Sequence, residues 1–123
     1  MNEMTISFTT NGSGAATGYG DRAILGIIYA LEYQPTSIAT GATVTITVES
    51  GATTYPVLTK ASAGTTNTIY YPRQLVNAVS DGAALVGTSG GDRVCPVVNG
   101  KPKVVIASGG DTKVGKVILY FEE

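Results

Sequence analysis

Two stretches of the chain alternate strictly between apolar and polar residues, and a third keeps the same period on one face. In residues 43–49, Val44, Ile46 and Val48 point one way, and the threonines and Glu49 point the other. A period of two marks a half-buried antiparallel strand. Met4, Ile6 and Phe8 alternate in the same manner with Thr5, Ser7 and Thr9. Near the C-terminus, Val117, Leu119 and Phe121 alternate with Lys116, Ile118, Tyr120 and Glu122. Residues 101–107 read as a further strand, with Pro102 near its start, where a missing N–H costs least. One buried face then collects Ile6, Phe8, Val44, Ile46, Val48, Val104, Ile106, Val117 and Leu119 as the predicted core.

Residues 21–33 behave differently. Ala23, Leu25, Ile27, Tyr29, Leu31 and Tyr33 form one face; Ile24, Ile28 and Ala30 belong to the other. A strand covered on both sides reads this way, and so does a helix buried all round. The β-branched and aromatic residues around Gly26 weigh towards a strand. Turn signals separate the runs: 11–14, 40–41, 50–51, 89–92, 99–100 and 108–111. Asn99-Gly100 between Val97-Val98 and the strand at 101–106 predicts a two-residue hairpin. Residues 74–78 are compatible with a short helix or a strand. Many short strands at this spacing predict an all-β fold: an antiparallel β-sandwich with Greek-key or jelly-roll-like connections.

Composition narrows the function classes. At 123 residues the chain is expected to form a single domain, 1–123. Charged residues are 14% of it, against about 25% in a typical protein, and glycine is frequent. The net charge of −1, with its eight Lys and Arg scattered, gives no broad attraction to nucleic acid or anionic lipid. The densest basic group, Lys101, Lys103, Lys113 and Lys116, reads as solvated strand faces. The N-terminus shows no signal-peptide core, and the longest apolar run, 23–31, is too short to span a bilayer.

With no histidine, a Ser-His-Asp site and an imidazole metal site are excluded. The single cysteine, Cys95, excludes an internal disulfide and reads as a small buried hydrophobe. Gly12-Ser13-Gly14 with Gly18 and Gly20 misses the spacing of a phosphate-binding loop and reads as a mobile loop. Asp21, Asp81, Asp92 and Asp111 lie in or beside Gly-rich turns, where aspartate bonds the local backbone. No cofactor, metal or catalytic residue is expected, and the chain is read as a non-enzyme. Tyrosines are seven of nine aromatics, which suits a surface partly wet and partly in contact.

Three segments carry a resemblance to a known family. Residues 21–29 look like a first long strand after a Gly-rich turn. Tyr71-Pro72-Arg73 followed by 81–85 looks like an aromatic-Pro-Arg segment and the small-residue stretch after it. Asp92-Arg93-Val94 leading to 104–110 looks like a penultimate strand and its loop, here with Cys95 to Pro102 intervening. Together they resemble the small β-sandwich decoration, or cement, proteins of tailed-bacteriophage capsids.

The resemblance implies a structural virion protein on the capsid surface, assembled in the bacterial host cytoplasm. Its implied partners are the phage major capsid protein and further copies of itself, as a dimer or trimer. A phage tail or baseplate β-domain, or a carbohydrate-binding module using exposed tyrosines, are the rival readings. The candidate interface residues are Met4, Ile6, Phe8, Tyr70, Tyr71, Arg73, Ile118 and Tyr120. Met4, Ile6 and Phe8 suit either an intramolecular core or an intermolecular clasp. Arg73 offers bidentate bonding to a shell carboxylate or a carbonyl, or caps its own turn. Ile118 and Tyr120 make one strand apolar on both sides, which calls for self-association or for cover from the same chain.

Overall fold

The computed structural model describes residues 1–75 and 93–123. Among them run ten strands and no helix: β1 (Asn2–Thr9), β2 (Ala16–Tyr19), β3 (Ile24–Gln34), β4 (Thr43–Ser50), β5 (Thr53–Lys60), β6 (Thr68–Tyr70), β7 (Gln74–Leu75), β8 (Arg93–Val94), β9 (Val97–Ala107) and β10 (Val114–Glu122). The fold is all-β and antiparallel. Eight strands share one sheet along the path β1-β10-β3-β9-β4-β5, with β2 also on β9 and β6 also on β3. β7 and β8 pair only with each other.

The long strand β9 folds this sheet into two layers. Residues 97–100 pair with 27–24 of β3. Residues 101–107 pair with β4 on one edge, and 103–106 with β2 on the other. β2 and β3 follow one another along the same edge of β9: Gly20 N–H donates to the Pro102 carbonyl at 2.9 Å, and Ile28 N–H to that of Pro96 at 3.0 Å. Pro102 has no N–H to return the bond to Gly20, so the ladder breaks where the chain kinks between β2 and β3.

The Asn99-Gly100 hairpin is therefore a correction. These residues continue β9 at the point where it changes layer. Gly100 takes φ 141°, which favours glycine, and a Cβ there would collide with the Glu49 carbonyl oxygen. Asn-Gly marks a backbone that must bend sharply, and here the bend serves a crossing rather than a reversal.

One core lies between the layers. From β1, β3 and β10 come Met4, Ile6, Phe8, Ile24, Ile28, Leu31, Tyr33, Val117, Leu119 and Phe121; from β4 and β9 come Val44, Ile46, Val48, Val98, Val104 and Ile106. All nine core residues expected from alternation are buried. The faces of β3 need a second correction. Its inward set is Ile24, Ile28, Leu31 and Tyr33, which mixes the two predicted faces. The ladder with β10 shifts between Tyr120 and Phe121, whose partners are Ala30 and Ile28. Tyr29 is the extra residue of this β-bulge, and one extra residue flips the side-chain phase.

At one end of the layers the loops are knit together. Thr10, the one buried polar residue among those described, donates through Oγ1 to the Gly110 carbonyl at 2.6 Å and accepts from Lys113 N–H at 2.7 Å. Asn11 Oδ1 accepts from Ser13 N–H at 2.9 Å and Ala15 N–H at 3.1 Å. The glycine loop is thus an Asx-type turn, and it docks on the β9–β10 loop through Gly109 N–H to the Gly14 carbonyl at 2.9 Å. Cys95 is half-buried between β8 and Pro96, less enclosed than expected.

Candidate interaction surface

The outward face of the β1-β10-β3 layer is built by the pairing registers. One row runs Glu3, Tyr120, Ala30. The next runs Thr5, Ile118, Glu32, Ile69, and the one beyond it Ser7, Lys116, Gln34. In the opposite direction Glu122 stands beside Ile27, Ile27 beside Val97, and Leu25 beside Asn99. Rows repeat every ~7 Å along the strands.

Apolar side chains dominate the β3 side of this face. Leu25 is 64% exposed, Val97 58% and Ile69 51%. Tyr71, two residues beyond Ile69, is 63% exposed. Ile27, Ala30, Ile118 and Tyr120 are half-buried on the same face. Isolated exposed apolar residues are ordinary, whereas a contiguous group on one sheet face marks a contact surface.

The β-bulge shapes one rim. Arg73 Nη1 donates to the Tyr29 carbonyl at 3.0 Å and to that of Pro72, 2.6 Å away. The guanidinium also lies 5.9 Å from the Tyr71 ring centroid. Arg73 therefore fastens the segment after β6 to the bulge and fixes Tyr71 beside it, a cation–π contact.

The predicted interface residues divide into two sets. Tyr71, Arg73, Ile118 and Tyr120 share this face or its rim, and Tyr70 turns inward to pack against the core. Met4, Ile6 and Phe8 are a correction: they point into the core opposite Leu119, Val117 and Gly115 and are not available as a clasp. The period of two that made them look adhesive is the same one that buries them. Leu25, Ile27, Val97 and Ile69 were missed. For the first two the signal lay in the doubly apolar run of residues 23–33, obscured by the bulge. The small-residue stretch at 81–85 and the Ser-Gly-Gly-Asp loop at 89–92 lie outside the described residues.

The outward face of the other layer is polar. Thr17, Thr45, Thr47 and Thr59 line up across β2, β4 and β5 around Val105 and Lys103. Lys103 Nζ meets Glu49 at 3.2 Å. Comparison with known proteins returns no matching family model, curated protein or solved structure.

Proposed function

We propose that this chain is a structural protein of a tailed-phage virion that binds the outer capsid surface and cements it. The observation that carries a binding role is the exposed apolar group Leu25, Val97, Ile69 and Tyr71 on one sheet face, opposite a threonine-rich polar face. A protein seated on a shell needs that asymmetry: one face to dock, one to stay wet. The phage assignment itself rests on the family resemblance of residues 21–29, of 71–73 with 81–85, and of 92–94 with 104–110. Repetition over a symmetric shell makes a modest contact at each site sufficient.

The test is particle composition. Quantitative mass spectrometry of purified particles should find on the order of hundreds of copies per particle, as repeated surface decoration requires. Tens of copies or fewer would assign the chain to the tail or baseplate instead. One observation favours a carbohydrate-binding module: Tyr19 is exposed on the polar face, with the amines of Lys101 and Lys103 each 5.8 Å from its ring centroid. Glycan-array binding lost on Tyr19→Ala would support that reading over the capsid one.

A further inference from the structure

The apolar face carries carboxylates as well, and their positions select a partner. Tyr120 stands between Glu3 on β1 and Ala30 on β3, with Glu32 one row away. Its phenol is held above the ordinary tyrosine range, first by burial and then by the charges of Glu32 and Glu3. Glu32 also accepts from Gln34 Nε2 at 2.8 Å, which orients it along the face. Glu122 binds the Met1 amino group at 3.2 Å. Across the rows of β1, β10 and β3 the basic side chain is Lys116, one row beyond Ile118 and farthest from the apolar group. Arg73, on the β6 side, is held by two carbonyls of its own chain.

We propose that this face docks a partner surface that is apolar at its centre and flanked by Lys or Arg, and that it is not the contact between two copies of this chain. The proposal rests on the capsid reading only for naming the partner as a shell subunit. In a two-fold contact the same patch meets itself. A self-contact centred on Leu25 and Val97 and wide enough to take in Tyr120 and Ala30 buries Glu3 and Glu32 of both copies at its dehydrated rim. Like charges brought together in this way oppose association. The same carboxylates attract a cation-flanked surface, while Leu25, Ile27, Val97, Ile69 and Tyr71 supply the apolar contact.

Three variants test it, each first checked for folding by circular dichroism: Leu25→Asp with Val97→Asp at the centre, Glu3→Lys with Glu32→Lys at the rim, and Thr17→Asp on the opposite face as control. Binding to undecorated capsids is measured by co-sedimentation across a salt series, and solution mass by sedimentation equilibrium. The expected results are a wild-type monomer, a loss of about tenfold or more for the central pair, and no change for Thr17→Asp. Wild-type binding should weaken with salt, and the rim pair should bind more weakly and lose that dependence. Unchanged binding by the folded central or rim pair overturns the proposal. So does a wild-type dimer that the central pair converts to monomer, because a second copy is then the occupant.

A capsid-free measurement separates the two levels of inference. Octyltrimethylammonium and octyl sulfate share an apolar tail and differ in charge. Titrated against the labelled protein below micelle formation, the cation should shift NMR signals of Leu25, Val97 and Tyr120 at lower concentration than the anion. If it does and the wild type binds no capsid, the capsid reading falls and the surface assignment stands. Equal response to both amphiphiles, or shifts confined to other faces, overturns the surface assignment whatever the capsid result.

Discussion

Replacing Tyr33 with Phe should stabilise this protein. Tyr33 lies on β3 between Val117 of β10 and Thr68 of β6, with 0% of its surface exposed. Its hydroxyl meets no hydrogen-bond partner among the described residues. A buried hydroxyl without a partner costs about 1–3 kcal/mol of lost hydration. Phe keeps the ring and its packing and removes only the oxygen, so Tyr33→Phe should raise the unfolding free energy by about 1 kcal/mol, the lower end of that range. Urea unfolding at pH 7, followed by circular dichroism, measures this directly.

The pH profile provides an independent reading of the same group. Burial, helped by Tyr70, pushes the Tyr33 pKa from its ordinary 10.0 up to about 12. Between these values the unfolded chain releases the proton and the folded chain keeps it. Stability should therefore fall as pH rises through this window, by up to ~1.4 kcal/mol per pH unit from this one residue. Below pH 10.0 the contribution is fully retained. The Phe variant lacks this component, so its advantage should widen above pH 10.0. A Phe variant less stable than wild type by 1 kcal/mol or more at pH 7, a loss of the size of one net hydrogen bond, would show the hydroxyl to be satisfied and refute the reasoning.

Other substitutions probe the remaining links. Ile46→Ala empties a fully buried position on β4 and should cost about 2–5 kcal/mol in the same urea assay. Thr10→Val should cost about 1–3 kcal/mol, because the Gly110 carbonyl and Lys113 N–H lose their hydroxyl partner. Hydrogen exchange should then rise first in the β9–β10 loop. Gly100→Ala should destabilise by at least about 2 kcal/mol, combining backbone strain with the collision at Glu49. A neutral result there would mean that β9 can change layer without glycine.

The course of β9 shows why part of this fold could be read from sequence and part could not. Alternation is a local signal, so it placed Val44, Ile46 and Val48 on β4 and Val117, Leu119 and Phe121 on β10, where each strand keeps one phase throughout. On β3 the phase slips by one residue at Tyr29, and strict alternation assigned Leu25 and Ile27 to the same face as Leu31 and Tyr33. The exposed face was hidden by that slip. β2 and β5 carry no such alternation. β2 has glycine at the inward position Gly18, where a Cβ would press on Ile6, and β5 carries Pro56 and a register shift opposite β4. Both lack the apolar repeat because close backbone approach or an edge position replaces it.

The surface follows from the same geometry. β9 pairs with β3 over residues 97–100 and leaves to join β2 and β4 from residue 101 onward, so Val97 is carried into the layer that holds Ile27 and Leu25. The bulge at Tyr29 then sets Ala30 and Glu32 on the outward side of that layer, in rows with Tyr120 and Ile118, and Arg73 closes the bulge by binding the Tyr29 carbonyl. Neither feature is encoded by hydrophobicity at the positions it exposes. Each is set by a residue elsewhere: Gly100 and Pro102 for the crossing, Tyr29 for the phase. The apolar group is therefore a product of topology, and its exposed members are the positions where an Asp substitution can test binding without emptying the core. Gly100→Ala and Leu25→Asp with Val97→Asp should accordingly separate: the first lowers stability, and the second lowers partner binding while the urea midpoint stays near wild type. A large stability loss from the Asp pair would place Leu25 and Val97 in a folded-state contact and remove them from the docking surface.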